Sequence, residues 1–427
     1  MADDRYVLLG LGRPRSAWFS EVSRWATAAI VPAEFVKCVS PEEVRARLAS
    51  GRSWSAALLD GSLPAVDRDL LAAARDAGCA PIVVDDRETT RWRSIGAAAV
   101  LPSVFDRGTL LDVLASVARS VEHPVHLPDL GGTAGDDGAS ALVAAVCGPG
   151  GTGASTCAAA LAQGLAASGR ATVLADLALH AEQAVLHDVH DIVPGIQELV
   201  EAHRNGTPSD AEVKALTFEI VERGYAVLLG LRRARHWPTL RPRAFAAAFA
   251  SLRGAFDALV CDITADFEGE DDAGSADVEE RNVAARTASA EADVVVVVGR
   301  PGVKGVHALI RVIADVAGAG TPAARVLPVF VAAPRAPRAR AEITSAVAEL
   351  VRPALGGAPM ASPLFLPGRS IEPALRDGVP FPGALTSALA SGVTAVAERA
   401  GARVRAAPEP RLVAPGALGA FSDGAEA

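Results

Sequence analysis

At 427 residues the chain is too long for one ordinary domain, and two or three are expected. Half of the residues are hydrophobic but only 4% are aromatic, so the cores must be built from Ala, Val and Leu. The net charge of −9 argues against a general nucleic-acid coat, and five scattered cysteines without a C-x-x-C argue against a disulfide framework or a zinc site. Buried free thiols in a reducing cytoplasm are the expectation. The opening residues, MADDRYVLLGLGRPR, put acids before a short apolar run, which is wrong for a signal peptide. No uncharged apolar stretch approaches a membrane-spanning length, so a cytoplasmic location is expected, with any recruitment to septum, pole or membrane left to partners.

Residues 1–121 alternate strand and helix. YVLLGL, AALLDG, PIVVDD and AAAVLP read as buried strands, with helical patterns at Ala17–Ala29, Pro41–Ser50, Val66–Ala77 and Asp106–Ser120. Such βα repeats suggest a small doubly wound sheet of the flavodoxin type. The order resembles a response-regulator receiver, in which Asp60 would stand at the phosphoacceptor position. The acidic pair that such a domain needs is replaced by Gly10-Leu11-Gly12, and the lysine position falls at about Ser103. Without those groups to hold Mg²⁺ and neutralise a phosphoryl group, Asp60 reads as a strand-end turn residue. The unit is expected to be a receiver-like, degenerate interaction domain.

Residues 122–140 are rich in Pro, Gly and Asp and read as a linker. A second α/β domain is expected over 141–400. ALVAAVCG, ATVLADL, YAVLLGL, DALVCDI, DVVVVVG and RVLPVFVA mark its strands, and Val294–Val298 is the clearest fully buried parallel strand. The first of these strands runs into Gly148-Pro-Gly-Gly-Thr-Gly-Ala-Ser-Thr156 and then an alanine-rich helical pattern. This is the strand–loop–helix order of a phosphate-binding P-loop, in which glycines let successive N–H groups point inward at a helix N-terminus. The candidate nucleotide contacts are Gly148, Gly150, Gly151, Thr152, Gly153, Ala154, Ser155 and Thr156. The position of the usual lysine holds Ala154.

Four segments carry a more specific resemblance: GPGGTGAST at Gly148–Thr156, VLADLALHAEQA at Val173–Ala184, FDALVCDITADF at Phe256–Phe267 and EADVVVVVGRPGVKGV at Glu291–Val306. They resemble the MinD/ParA group of deviant P-loop ATPases. With a receiver-like domain in front, they look most like its CpaE/TadZ branch and the CpaE-like septum-site-determining proteins of actinobacteria. The resemblance implies a MinD-like domain with a mostly parallel sheet, ATP or ADP with Mg²⁺ as cofactor, and a homodimer. It also implies partners from the division or the pilus and secretion machinery, without specific nucleic-acid binding.

The same resemblance assigns roles to residues. Ser155 and Asp262 would hold Mg²⁺; Asp176 and Asp266 stand where switch acids would act in catalysis. Both lysines of the family loop are absent, at Pro149 and Ala154; the second switch acid is Ala178, with His180 and Glu182 nearby. The strand that would carry an adenine-reading Asn ends in Val-Phe-Val-Ala-Ala-Pro334. A missing ammonium removes a charge-assisted bond of about 1.5–3 kcal/mol in the ground state and more in a phosphoryl-transfer transition state. The implied cofactor affinity is therefore low or absent, and hydrolysis weak or absent.

Gly230–Arg243 is the most basic stretch, and Arg232, Arg233 and Arg235 are candidate partner or phosphate contacts. The plain alternative is a solvated loop pairing with the acids of Glu268–Asp272. Phe267–Arg281 reads as a mobile acidic loop, Ala341–Val351 and Leu385–Ala400 as helices, and 401–427 as a disordered tail without the periodicity of a membrane helix. The expected function is spatial regulation of septum placement or division through dimerisation and partner docking. Alternatives are a localisation factor for a Tad-type pilus, an active ATPase with arginine in place of the lysines, and a DNA-binding partition protein.

Overall fold

The computed structural model describes residues 6–13, 16–28, 30–49, 52–118, 141–189, 193–368 and 370–402. The expected linker at 122–140 and nearly all of the expected tail at 401–427 lie outside them. The described chain forms two sheets. The first contains β1 (Tyr6–Leu11), β2 (Ala33–Cys38), β3 (Ala56–Asp60), β4 (Ala80–Val84) and β5 (Ala99–Leu101) in the order β2-β1-β3-β4-β5, all parallel. Helices follow the strands, and two hydrophobic clusters cover its two faces.

The second sheet has eight strands: β6 (Leu142–Cys147), β7 (Thr172–Asp176), β8 (Phe218–Ile220), β9 (Tyr225–Leu228), β10 (Ala258–Asp262), β11 (Val294–Gly299), β12 (Val326–Ala333) and β13 (Leu364–Pro367). Their order is β13-β12-β11-β6-β10-β7-β9-β8, parallel except for the β8–β9 pair. The valine run shows why this sheet is buried on both sides. Val295 and Val297 enter one core and Val294, Val296 and Val298 the other, so every residue of that run meets a hydrophobic layer. The helix Ala154–Ala167 is Ala-rich on almost every face because it is wedged between the sheet and the helix Gly383–Arg399.

Three strands escape the sequence pattern. β2 is an edge strand carrying Glu34 and Lys37, so it lacks a continuous apolar run. β8 and β13 are an edge trio and an edge quartet, too short for periodicity to register. The acidic stretch expected as a loop instead contains the short helices Glu270–Ala273 and Ala276–Arg281. The two long helices near the end start earlier than expected, at Pro337 and Gly383, because Pro at the first turn is already helix-compatible in the one and Pro382 sets the entry in the other.

The two sheets' layers meet through the helix Arg68–Asp76, which packs on the helices Ile196–Asn205 and Pro242–Ala255. The contact is polar. Arg68 donates to the carbonyls of His203 (2.8 Å) and Gly206 (2.9 Å), and Arg91 donates to that of Asn205. These are carbonyls at the end of a helix, where intrahelical partners run out and the dipole is negative, so guanidinium groups from the other layer cap it. Arg243 pairs with Asp76, and its N–H donates to Asp69 at 3.0 Å.

Candidate phosphate-binding site

The strand order places β6 between β11 and β10, at the point where successive connections leave in opposite directions. A crevice opens there beyond the carboxyl ends of the strands. The loop Gly148–Gly153 fills the start of this crevice between β6 and the helix Ala154–Ala167. Three glycines are required by its shape. A Cβ on Gly148 would lie 2.4 Å from the Val298 carbonyl oxygen, Gly151 adopts φ +75°, and Gly153 adopts φ +89° as the helix N-cap. Thr152 braces the turn by donating from Oγ1 to the Pro149 carbonyl at 2.7 Å.

A cavity of about 790 Å³ lies over this loop. Gly148, Pro149, Gly150, Gly151, Thr152, Gly153, Ala154, Ser155 and Thr156 all line it, together with His180, Glu182, Asp262 and Asp315. Two arginines line it as well: Arg300, directly after β11, and Arg311, on the helix Val303–Gly318. Both side chains are exposed at the cavity wall. Neither was singled out by sequence. Their signal was positional, since Arg300 ends the strand that lies beside β6.

Arg232, Arg233 and Arg235 stand elsewhere. They follow β9, which is separated from β6 by β10 and β7, and none of them lines this cavity. Arg232 pairs with Glu198, and its N–H donates to Gln197 Oε1 at 3.3 Å. Asp266 does not line the cavity either. Its carboxylate accepts from Arg281 (2.8 Å) and from Asn282 Nδ2 (2.9 Å), beside the two short helices.

Asp176 and Asp262 end β7 and β10 and are register partners across that strand pair. Asp176 is 0% exposed and Asp262 2%. Burial pushes the Asp176 carboxyl well above the carboxylate range, and the neighbouring Asp262 charge pushes it further. Burial raises Asp262 too, against hydrogen bonds from Gln183 and the Ser155 side chain. Gln183 is the residue that joins them. Its N–H donates to Asp176 Oδ2 at 2.9 Å, and its Nε2 donates to Asp262 Oδ2 at 2.7 Å and to the Ser155 carbonyl at 3.1 Å.

The loop fits a phosphate chain: its glycines leave the space over the helix N-terminus open, and Gly150, Gly151 and Gly153 have no atom within 4 Å of where a Cβ would be. At the acid pair a divalent cation meets an internal competitor. Ser155 and Asp262 are the right hard oxygen donors, but one of the two Asp262 oxygens, Oδ2, already accepts from the Gln183 amide, and a cation at that oxygen has to compete with it. Among the described residues no cluster of three His, Cys, Asp or Glu side chains is placed to hold a metal.

In the first sheet, Asp60 closes a turn. It accepts from the Ser62 N–H (3.0 Å), Ser62 Oγ (2.6 Å), Ser16 Oγ (3.0 Å) and the Arg13 N–H (3.5 Å). Burial acts to raise its carboxyl, but these bonds outweigh it and hold it below the usual range. Ser103, at the lysine position, donates to Asp86 instead.

No helix among the described residues is long and apolar enough to cross a membrane. No protein-family model and no curated protein matches the chain. Among solved structures, it is similar to a ParA family ATPase from Chlorobium tepidum TLS at 13% identity, over 60% of this chain and 98% of that one, with a TM-score of 0.44. It is similar to the septum site-determining protein MinD complexed with Mg-ADP from Pyrococcus horikoshii OT3 at 19% identity, over 62% and 99%, with a TM-score of 0.41. An ATP complex of a Cyanothece McdA variant gives 15% identity over 62% and 98%, with a TM-score of 0.42. At such scores the function has to be read from the cavity itself.

Proposed function

We propose that the chain is a nucleotide-responsive scaffold of the P-loop type, which binds the polyphosphate of ATP or ADP but turns it over slowly or not at all. The observation that supports this reading is the glycine cradle, open over a helix N-terminus, in a cavity that lacks both lysines and is lined instead by Arg300 and Arg311. Backbone N–H groups and arginine forks suit ground-state binding of phosphate. A transferring phosphoryl group needs a cation fixed against it in the transition state, and both loop positions for one hold uncharged residues, Pro149 and Ala154.

The resemblance carried by the four segments points to spatial regulation of division or of a pilus, through a homodimer that docks partner proteins. In that reading the first unit is a receiver-like docking module without phosphorylation chemistry. Its strand order and the fully engaged Asp60 carboxylate support this.

The test is calorimetry of the purified full-length chain with ATP and ADP. Gly150→Asp puts a carboxylate into the cradle at a position where no neighbouring atom opposes it, so the fold should survive and binding should be lost. Arg300→Ala and Arg311→Ala should each weaken binding about tenfold, the loss of one charge-assisted bond. Absence of binding at millimolar nucleotide would overturn the reading. Turnover at ordinary ATPase rates that Asp262→Ala abolishes would favour the arginine-assisted ATPase instead.

A further inference from the structure

The buried acids of the cavity are already bonded to a donor, and it is neutral. Gln183 is fully buried and begins the short helix Gln183–Leu186. Each of its polar groups except Oε1 is engaged: N–H with Asp176, and the two Nε2 hydrogens with Asp262 and with the Ser155 carbonyl in the first turn of the P-loop helix. Both Nε2 partners are acceptors, which fixes the orientation of the amide. Its backbone carbonyl accepts from His187 Nδ1 at 2.8 Å, and His187 Nε2 meets the Tyr225 hydroxyl at 2.7 Å. One residue therefore ties together the ends of β7 and β10, the phosphate loop and the interior of β9.

We propose that Gln183 is an internal latch that keeps divalent cations off the Asp176–Asp262 pair, so that nucleotide binding at this site is independent of Mg²⁺. The inference rests on the phosphate-binding reading for its nucleotide half only. A cation at Asp262 Oδ2, one of the two carboxylate oxygens, competes with the Gln183 amide, which is intramolecular, buried and anchored at both its backbone and its side chain. Asp262 still borders the cavity, so a cation has a route to it once the amide is gone. Asp262 Oδ2 then becomes free, a carboxylate oxygen of the kind that Mg²⁺ and Mn²⁺ take.

The experiment titrates Mn²⁺ into the full-length chain without nucleotide, read by the loss of the free-ion electron paramagnetic resonance signal. Gln183→Ala opens the latch. Gln183→Met removes both Nε2 bonds at nearly constant volume and serves if the alanine variant unfolds. The expected result is Mn²⁺ affinity at least about tenfold higher in either variant than in the unaltered protein, the scale on which neighbours of metal ligands change affinity. Mn²⁺ binding by the unaltered protein that neither variant strengthens would overturn the latch. In parallel, ADP affinity of the unaltered protein should be the same in Mg²⁺ and in EDTA, and Mg²⁺-dependent in the variants. Dependence already present in the unaltered protein would also overturn the latch. If ADP does not bind at all, the proposed function fails, while the Mn²⁺ comparison still decides the latch.

Discussion

Arg204 reaches from the helix Ile196–Asn205 to Asp67, where its guanidinium holds Oδ2 with bonds of 3.0 and 3.3 Å. The other carboxylate oxygen of Asp67 accepts from the Leu70 N–H at 3.0 Å and so caps the helix Arg68–Asp76. One buried carboxylate therefore starts a helix of the first unit and fastens that helix to the second. Asp67→Ala removes both bonds and should cost about 2–3 kcal/mol, a cap plus a charge-assisted pair. Arg204 would keep Glu201 as a partner, so no bare charge is left behind. Asp67→Asn keeps an acceptor for the cap and should lose roughly half as much. Chemical denaturation of the three proteins checks this; equal losses in the two variants would mean that the cap contributes nothing, and no loss in Asp67→Asn would mean that the ion pair contributes nothing.

The glycine loop gives a paired contrast. Gly148→Ala sets a methyl carbon 2.4 Å from the Val298 carbonyl and 2.9 Å from Thr152 Oγ1. Backbone on one side and a braced turn on the other leave little room to yield, so a loss of about 1–3 kcal/mol is expected from overpacking. Gly150→Ala meets no atom within 4 Å and should lie within about 0.5 kcal/mol of the parent protein. Thermal melts of the two variants decide it. A destabilised Gly150→Ala together with an unaffected Gly148→Ala would place the loop differently from the geometry described here.

How much of this could be read beforehand depended on distance along the chain. The phosphate loop is contiguous, so strand, turn and helix signals all fall within Leu142–Ala167. Asp176 and Asp262 each end an apolar run, which marks them locally. Arg300 and Arg311 come to the loop only through the lateral order of β11 and β6, which no local pattern encodes. The same lateral order separates Arg232, Arg233 and Arg235 from the phosphate loop: they follow a strand end, but of a strand on the far side of β7. Gln183 carried no signal at all. A polar residue in a four-residue helix looks solvated until the fold closes over it.

All five cysteines are buried and free. Burial pushes the Cys79 thiol up to about 12, and Cys147 and Cys157 to about 12 as well, with the Asp262 charge adding to the last two. Cys38 rises to about 11 and Cys261 is also raised, again mainly by burial. The thiolate is the reactive species, so the native protein should resist a thiol reagent at pH 8. Mass spectrometry after brief alkylation should find no label on the folded chain and five labels after denaturation. Fast labelling of any one thiol would locate a segment that opens far below the global unfolding free energy.

His187 sets a pH dependence whose sign follows from its partners. Tyr225 can donate its one proton to His187 Nε2, and His187 Nδ1–H donates to the Gln183 carbonyl. The imidazole therefore sits as the neutral tautomer, and a second proton on Nε2 would displace the tyrosine's own proton from that bond and put a buried charge near Arg223. Burial lowers its pKa from 6.5 to about 4. The unfolded chain then binds a proton that the folded chain refuses, so the stability held above pH 6.5 is lost as pH falls towards 4. The full effect is about 3 kcal/mol at roughly 1.4 kcal/mol per unit. Asp176 and Asp262 work in the opposite sense, because their carboxyls are raised and their contribution is lost as pH rises. The informative quantity is thus the difference between the parent protein and His187→Gln, in which the acids are common to both. The parent should lose stability relative to the variant between pH 6.5 and 4, and the two denaturation curves should keep a constant offset above pH 7. A constant offset across the whole range would mean that His187 is protonated as readily in the folded protein as in the unfolded chain.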